Sequence, residues 1–285
     1  MPNTPLARHA LITGGSSGIG LALAQALSGR GAAVTLVARG RERLSDAHEA
    51  VLRAHPGARV RTMACDVTDG PALAALIEAA ERGAGPVDLA IASAGMAAPG
   101  RFEDLTDATA RAAMEVNYFG ALSLARPTLR RMRARGRGKL LMIGSAAGLA
   151  GLFGHSAYAP GKFALRGLGQ ALRAECAPDG VHVSVAFPPD VDTPMLAAER
   201  QLMPPELRAL SALGGVMSAD RAATLILRGL ARGRSEILMT PQVWALARLA
   251  PMVWPVMERI ADRIAAKAAA KSAAQLPVIR SDEGR

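Results

Sequence analysis

The run Leu11-Ile12-Thr13-Gly14-Gly15-Ser16-Ser17-Gly18-Ile19-Gly20 constrains this chain more than any other stretch. Apolar residues lead into a glycine-rich turn, and Leu21-Ala22-Leu23-Ala24-Gln25-Ala26-Leu27 follows as a strong helix former. The order is strand, tight turn, helix. Gly14, Gly18 and Gly20 are spaced to let backbone approach backbone and a phosphate approach both. A helix opening near Ser17 turns its free N–H groups and positive dipole end toward whatever lies over the turn. A pyrophosphate answers that description, and the strand–turn–helix context is what gives such a motif its weight.

The same alternation continues down the chain. Ala33–Val37, Val60–Ala64, Val87–Ile91, Lys139–Ile143, Val181–Ala186 and Glu236–Met239 read as strands. Arg41–Ala54, Pro71–Arg82, Thr106–Arg135, Ala157–Ala177 and Ala219–Arg232 read as the helices between them. Short, nearly all-apolar strands separated by helices predict an α/β fold with a parallel sheet covered on both faces. With a phosphate turn in its first unit, the sheet is a Rossmann-type, doubly wound one. This domain is expected over residues 1–240, with a helical, basic C-terminal extension over 241–285. Ligands then collect at the carboxyl ends of the strands, where Gly14, Arg39, Asp66, Gly95, Ser145 and Pro188 fall. Thr193 to Met217, rich in proline and glycine, reads as a mobile flap beside that edge.

Composition narrows the partners. The 285 residues carry a formal charge of +10, which suits an anionic cofactor, an anionic membrane surface or nucleic acid. Only 3% are aromatic, too few to stack on bases, so nucleic acid is not expected as a partner. Two distant cysteines, Cys65 and Cys176, suit a reducing compartment. Neither a leader nor a membrane-length apolar span is evident, so the expected location is cytoplasmic.

The candidate chemistry lies in Tyr158-Ala159-Pro160-Gly161-Lys162, where a tyrosine and a lysine four apart share one helical face. A neighbouring ammonium favours the phenolate and is expected to lower the tyrosine's pKa. Ser145, at the end of the fifth strand, could hold a carbonyl oxygen while Tyr158 protonates it, or could cap the next segment. At the end of the second strand, Val37-Ala38-Arg39-Gly40-Arg41 lacks the acid that NAD-binding folds usually place there. Arg39, with Arg43 one turn on, can instead pair with a 2′-phosphate, which favours NADPH/NADP+. The alternative is a solvated, arginine-rich face.

The set Thr13 to Gly20, Asp66, Ala94-Gly95, Asn117, Ser145, Tyr158 and Lys162 resembles the classical short-chain dehydrogenase/reductase family over roughly residues 6–240. The resemblance implies that Gly14, Ser16, Ser17, Gly18, Ile19 and Gly20 hold the cofactor's phosphates and ribose, and Asp66 and Val67 its adenine. It further implies cofactor contacts from Gly95, Val191 and Thr193, a proton relay behind Lys162 at Asn117, and a nicotinamide ribose on Lys162. Gly100-Arg101-Phe102-Glu103-Asp104-Leu105, Gly151-Leu152-Phe153-Gly154 and Phe187-Pro188-Pro189-Asp190-Val191-Asp192-Thr193-Pro194 resemble the 3-ketodihydrosphingosine (3-dehydrosphinganine) reductase branch. That branch reduces the ketone of a long-chain amino alcohol with NADPH in sphingolipid synthesis. Other readings are a reductase of another lipid or acyl ketone, and a non-catalytic dinucleotide-sensing scaffold. The chain departs from the family pattern at Ala92-Ser93-Ala94-Gly95, which lacks an asparagine, and at Pro160-Gly161.

A long-chain substrate needs an apolar mouth, for which Leu152, Phe153, Met195, Leu196, Leu202 and Met203 are candidates; the alternative is that they form loop core. His155 could meet a polar headgroup or be incidental. In the tail, Trp244, Trp254 and a basic run from Arg259 to Lys271 suggest a peripheral membrane contact, interrupted at Pro251 and Pro255. A subunit contact in a homo-oligomer is the other reading of that segment.

Overall fold

The computed structural model describes residues 6–212 and 214–274. Seven strands form one parallel sheet: β1 (His9–Thr13), β2 (Ala33–Ala38), β3 (Val60–Ala64), β4 (Leu89–Ala92), β5 (Gly138–Ile143), β6 (Val181–Phe187) and β9 (Glu236–Leu238). Their order across the sheet is β3-β2-β1-β4-β5-β6-β9, so the chain winds outward from β1 first one way and then the other. The sheet's reversal point lies between β1 and β4, where Ile12 stands opposite Ile91. In open α/β sheets that crevice is where ligands bind.

The two-residue period of a strand divides the sheet's side chains between two cores. Ile12, Ile91, Leu141 and Ala186 face one layer, which is completed by α1 (Gly18–Ser28), α2 (Arg41–Ala54) and α9 (Ala219–Ala231). Their immediate neighbours Leu11, Ala90, Leu140 and Phe187 face the other, completed by α3 (Gly70–Ala84), α5 (Gly120–Ala134) and α6 (Ala159–Cys176). Cys176 is buried in this second layer, while Cys65 is half-buried at the end of β3.

Three segments differ from their sequence reading. Thr106–Arg135 is not one uniform helix: α4 (Asp107–Met114) passes through a π turn at Glu115–Phe119 before α5 begins. The turn swings Asn117 inward, to 1% exposure. The expected flap is ordered by β7 (Asp190–Asp192) paired with β8 (Val216–Ser218), and by α7 (Pro194–Leu202) and α8 (Pro205–Ser211) between them. Thr193 caps α7 by accepting a hydrogen bond from Leu196 N at 3.3 Å.

The tail is the third difference. Pro251 and Pro255 do not interrupt it, and α10 runs unbroken from Pro241 to Ala274. Neighbouring turns hold their backbone in helix, although each proline lacks an N–H. Val243 and Ala247 bury its first turns in the second core layer, and the helix passes alongside α8. Leu249, Met252, Val256 and Ile260 stay exposed along it. The side chains of Trp254 and Pro251, and residues 275–285, lie outside the described residues. No described helix is long and apolar enough to cross a membrane.

Candidate active site

The glycine turn sits where backbone crowds backbone. A Cβ on Gly14, whose φ is +68°, would meet Ala94 N at 2.6 Å, and one on Gly20 would meet Gly14 O at 2.3 Å. A Cβ on Gly18 would strike Thr193 Cγ2 at 2.9 Å, so the turn, the loop after β4 and the start of α7 close on one another. Ser17 precedes α1 without a side-chain hydrogen bond to its N–H groups, and no acid occupies the first turn. Those N–H groups therefore face an open cradle, with Ser16 and Ile19 half-buried on either side. This is the donor set that a dinucleotide's pyrophosphate requires, and the site fits such a cofactor.

The flanking positions are less uniform. Arg39 and Arg43 are exposed on the lip beyond β2, and Arg39 lies 3.8 Å from Asp66. The Asp66 carboxylate accepts hydrogen bonds from Thr68 N at 3.0 Å and Thr68 Oγ1 at 2.9 Å. These bonds hold its pKa below the ordinary carboxylate value, with Arg39 a smaller contributor. Asp66 is thus a turn residue that still faces the lip. Val67 is buried beneath it, against Gly120, where a Cβ would meet its Cγ2 at 2.7 Å. Val191 is likewise core, and Thr193 lies against Gly18 of the glycine turn.

Asn117 and Lys162 meet behind Gly95. Asn117 Nδ2 donates to Met96 O at 2.8 Å, and its Oδ1 accepts from Met96 N at 3.1 Å. A Cβ on Gly95 would lie 3.2 Å from Asn117 Oδ1 and 3.8 Å from Lys162 Nζ. Gly161 lets α6 approach the π turn, since a Cβ there would lie 3.2 Å from Asn117 Cβ. The unusual Pro160-Gly161 pair is therefore compatible with a helix start: proline fits a first turn, and glycine fits the close contact.

Lys162 is buried at 4% exposure, and its ammonium donates to Ile143 O at 2.9 Å. Burial pulls its pKa down to about 8. Its Nζ lies 5.5 Å from the centre of the Tyr158 ring. Ser145 stands close enough to the Tyr158 phenol to act on its pKa, and its Oγ caps the turn after β5 by accepting from Ala147 N at 3.1 Å. The capping reading of Ser145 is therefore seen directly, and the residue also stands beside Tyr158.

The expected acidification of Tyr158 does not. Burial pushes the phenol well above its ordinary value near 10, Ser145 only partly offsets this, and the carboxylates of Glu199 and Asp190 push it further up. Lys162, turned toward the Ile143 carbonyl, does not reverse the direction. In this state Tyr158 is a neutral proton donor. Glu199 carries no signature in the sequence, and Asp190 enters it only as part of the Phe187–Pro194 run.

Beside Tyr158 lies a cavity of about 580 Å³, lined by Arg101, Phe102, Leu152, Phe153, His155 and Phe163 among others. Leu152 and Phe153 are where the apolar mouth was expected. Leu196 and Met203 instead pack on Leu207 as the flap's own core, and Leu202 is exposed. Arg101 bridges to the buried Glu206 on α8, tying the cavity's rim to the flap.

Comparison with known proteins agrees with this geometry. Residues 8–203 match the family model for short chain dehydrogenase. A 3-dehydrosphinganine reductase of Danio rerio is 36% identical over 251 residues, covering 87% of this chain and 76% of its own. A 3-ketodihydrosphingosine reductase of Bos taurus matches to the same extent. A short chain dehydrogenase/reductase of Burkholderia phymatum solved with NAD has a TM-score of 0.78 at 26% identity, covering 88% of this chain and 95% of that one. The actinorhodin polyketide ketoreductase solved with NADPH has a TM-score of 0.74 at 28% identity, covering 82% and 95%.

The depressed Lys162 carries a pH signature. The unfolded lysine binds its proton up to about pH 10.5, the folded one only to about 8. Between those values the unfolded state holds more protons, so stability rises with pH across that window. The effect is on the order of 3 kcal/mol at most. Urea unfolding at pH 7.5 and 10 should show this rise in the wild type relative to Lys162→Met; equal pH dependence in both would contradict the assignment.

Proposed function

Because the chain belongs to the short-chain dehydrogenase family, we propose that it reduces 3-ketodihydrosphingosine to dihydrosphingosine, with NADPH as the reductant. That it is an oxidoreductase of a ketone/alcohol pair follows from its relatives, which share most of its length. The observation that carries the finer reading is Tyr158: a neutral phenol with Ser145 beside it, next to His155, which lines an apolar cavity large enough for an alkyl chain.

The residues divide the work as follows. Gly14, Ser16, Ser17, Gly18, Ile19 and Gly20 cradle the cofactor's phosphates, with Thr193 closing from the flap side. Gly95 would border the nicotinamide, and Lys162 would hold its ribose. When bound, the nicotinamide supplies hydride to the ketone carbon. Ser145 holds the carbonyl oxygen, and Tyr158 donates a proton to that oxygen as charge develops there. Lys162, with a pKa of about 8 set by burial, stands ready to return a proton, and Asn117 fixes the backbone at Met96 beside it. Asp66 and Val67 border the adenine end.

Arg39 and Arg43 favour the phosphorylated cofactor, since the lip beyond β2 offers two exposed guanidiniums and no acid before Glu42. Asp66 competes for Arg39 only at long range, 3.8 Å between exposed groups.

The C-terminal helix supports a peripheral contact with an anionic membrane face, where a long-chain substrate is collected by a cytoplasmic enzyme. Its exposed Leu249, Met252, Val256 and Ile260 adjoin Arg259, Arg263 and Lys267. A homo-oligomer built on the same helix is the competing use of that face.

Three outcomes follow. Tyr158→Phe should lower kcat by about 10³-fold while NADPH still binds, as a fluorescence titration would show. Arg39→Ala should cost about 10–100-fold in the preference for NADPH over NADH, and an unchanged ratio would remove Arg39 from this role. The full chain should co-sediment with anionic vesicles and leave them at high salt; a salt-insensitive oligomer that ignores vesicles would favour the subunit contact.

A further inference from the structure

Among the described residues of this arginine-rich chain, ion-paired carboxylates withdrawn from solvent are, with one exception, neutralised by arginine. Glu206 has Arg101, Glu236 has Arg166 and Arg248, and Glu81 has Arg131 and Arg135. Glu199, on α7, has a side chain only 12% exposed, and its partner is a histidine: Oε1 lies 3.0 Å from His155 Nε2. Among the described residues, Oε2 of Glu199 makes no hydrogen bond or ion pair. A carboxylate in such a place is costly unless a cation or donors reach it.

The histidine has an opening of its own. With Nε2–H donating to Glu199, Nδ1 is left as an acceptor, and it is buried without a partner. His155 is 8% exposed, lines the cavity, and its ring lies 5.4 Å from that of Tyr158. Asp190, hydrogen-bonded by the Ser211 hydroxyl, adds a second carboxylate on this side, which the exposed Arg200 only partly offsets. Lys162 lies toward Gly95, where its ammonium donates to Ile143 O. A chain with a net charge of +10 thus places two carboxylates near enough to its proton donor to raise the phenol's pKa.

We infer that Glu199, seated by His155, is the counter-ion for an ammonium group on the carbon next to the ketone, and that it selects amino ketones over uncharged long-chain ketones. The inference rests on the reductase reading above and adds the residue that recognises the amine. When the ketone oxygen meets Tyr158 and Ser145, an ammonium on the adjacent carbon lies a few ångströms from the phenol. The Glu199 carboxylate can reach that position, and His155 Nδ1 can accept a hydrogen from the ammonium or from the neighbouring hydroxyl. No proton or electron needs to change hands for this role. Glu199 is a specificity residue, and His155 positions it.

The test compares 3-ketodihydrosphingosine with a ketone of the same length lacking the amine, in wild type and Glu199→Gln. The wild type should favour the amino ketone at least about tenfold in kcat/KM, through KM. Glu199→Gln should remove most of that preference by raising KM for the amino ketone about tenfold, with a much smaller change in kcat, and Glu199→Asp should restore part of it. A wild type that treats both ketones alike, or a variant that loses both in equal proportion, overturns the inference while leaving the reductase intact. If neither ketone is turned over, the reductase reading fails. Binding of dihydrosphingosine against the same-length diol, with NADP+ present, then decides the amine site alone: tighter binding of the amine, lost in Glu199→Gln, sustains it, and equal binding overturns it.

Discussion

The structure depends on one close approach, the backbone of Gly14 against that of Ala94. Strands β1 and β4 end side by side at the point where the sheet reverses direction, and no side chain fits between the loops that leave them. Gly20 then rests on the Gly14 carbonyl, and Gly18 admits Thr193 from the start of α7. A phosphate cradle, the loop carrying Gly95 and the hinge of the flap are thereby joined in one contact. A methyl group at any of the three glycines would have to move backbone or a capping threonine, not the flexible end of a side chain.

Around that contact the molecule accepts local costs that make sense only for chemistry. A π turn interrupts α4 and α5 to place Asn117 against Met96. A lysine is buried with, among the described residues, one carbonyl as its hydrogen-bond partner, and burial lowers its pKa to about 8. A tyrosine is kept neutral by burial and by two carboxylates. π turns and strongly shifted pKa values concentrate at functional sites for this reason. The charges are divided: exposed Arg39 and Arg43 lie on the lip beyond β2, and Glu199 and Asp190 lie near the phenol.

Much of this was legible from residue order. Alternating apolar runs and helix formers gave the parallel sheet, because its inner strands β1, β2 and β4 are covered on both faces and are mostly apolar. Gly14 to Gly20 gave the cradle, since its glycines are demanded by backbone contacts that any such turn must make. The remainder depends on tertiary environment. Nothing in Glu115-Val116-Asn117-Tyr118-Phe119 signals a π turn, because its cause is the packing of Gly161 and Met96 around Asn117. The Tyr158–Lys162 spacing suggested a lowered tyrosine pKa, yet burial outweighed the ammonium, which a sequence cannot weigh. Pro251 and Pro255 read as breaks, yet α10 passes through both. Glu199 was invisible for a similar reason, as its significance lies in the arginine it lacks.

The central claim is that cradle and phenol open onto one cleft, where a ketone is reduced directly by the bound cofactor. Reduction of 3-ketodihydrosphingosine with NADPH carrying deuterium at its transferable position, in ordinary water, tests this by mass spectrometry of the product. The account predicts deuterium on the carbinol carbon, and none on that carbon when the label is placed in the solvent instead. Label reaching carbon only from solvent, or a ketone left unreduced, would contradict it.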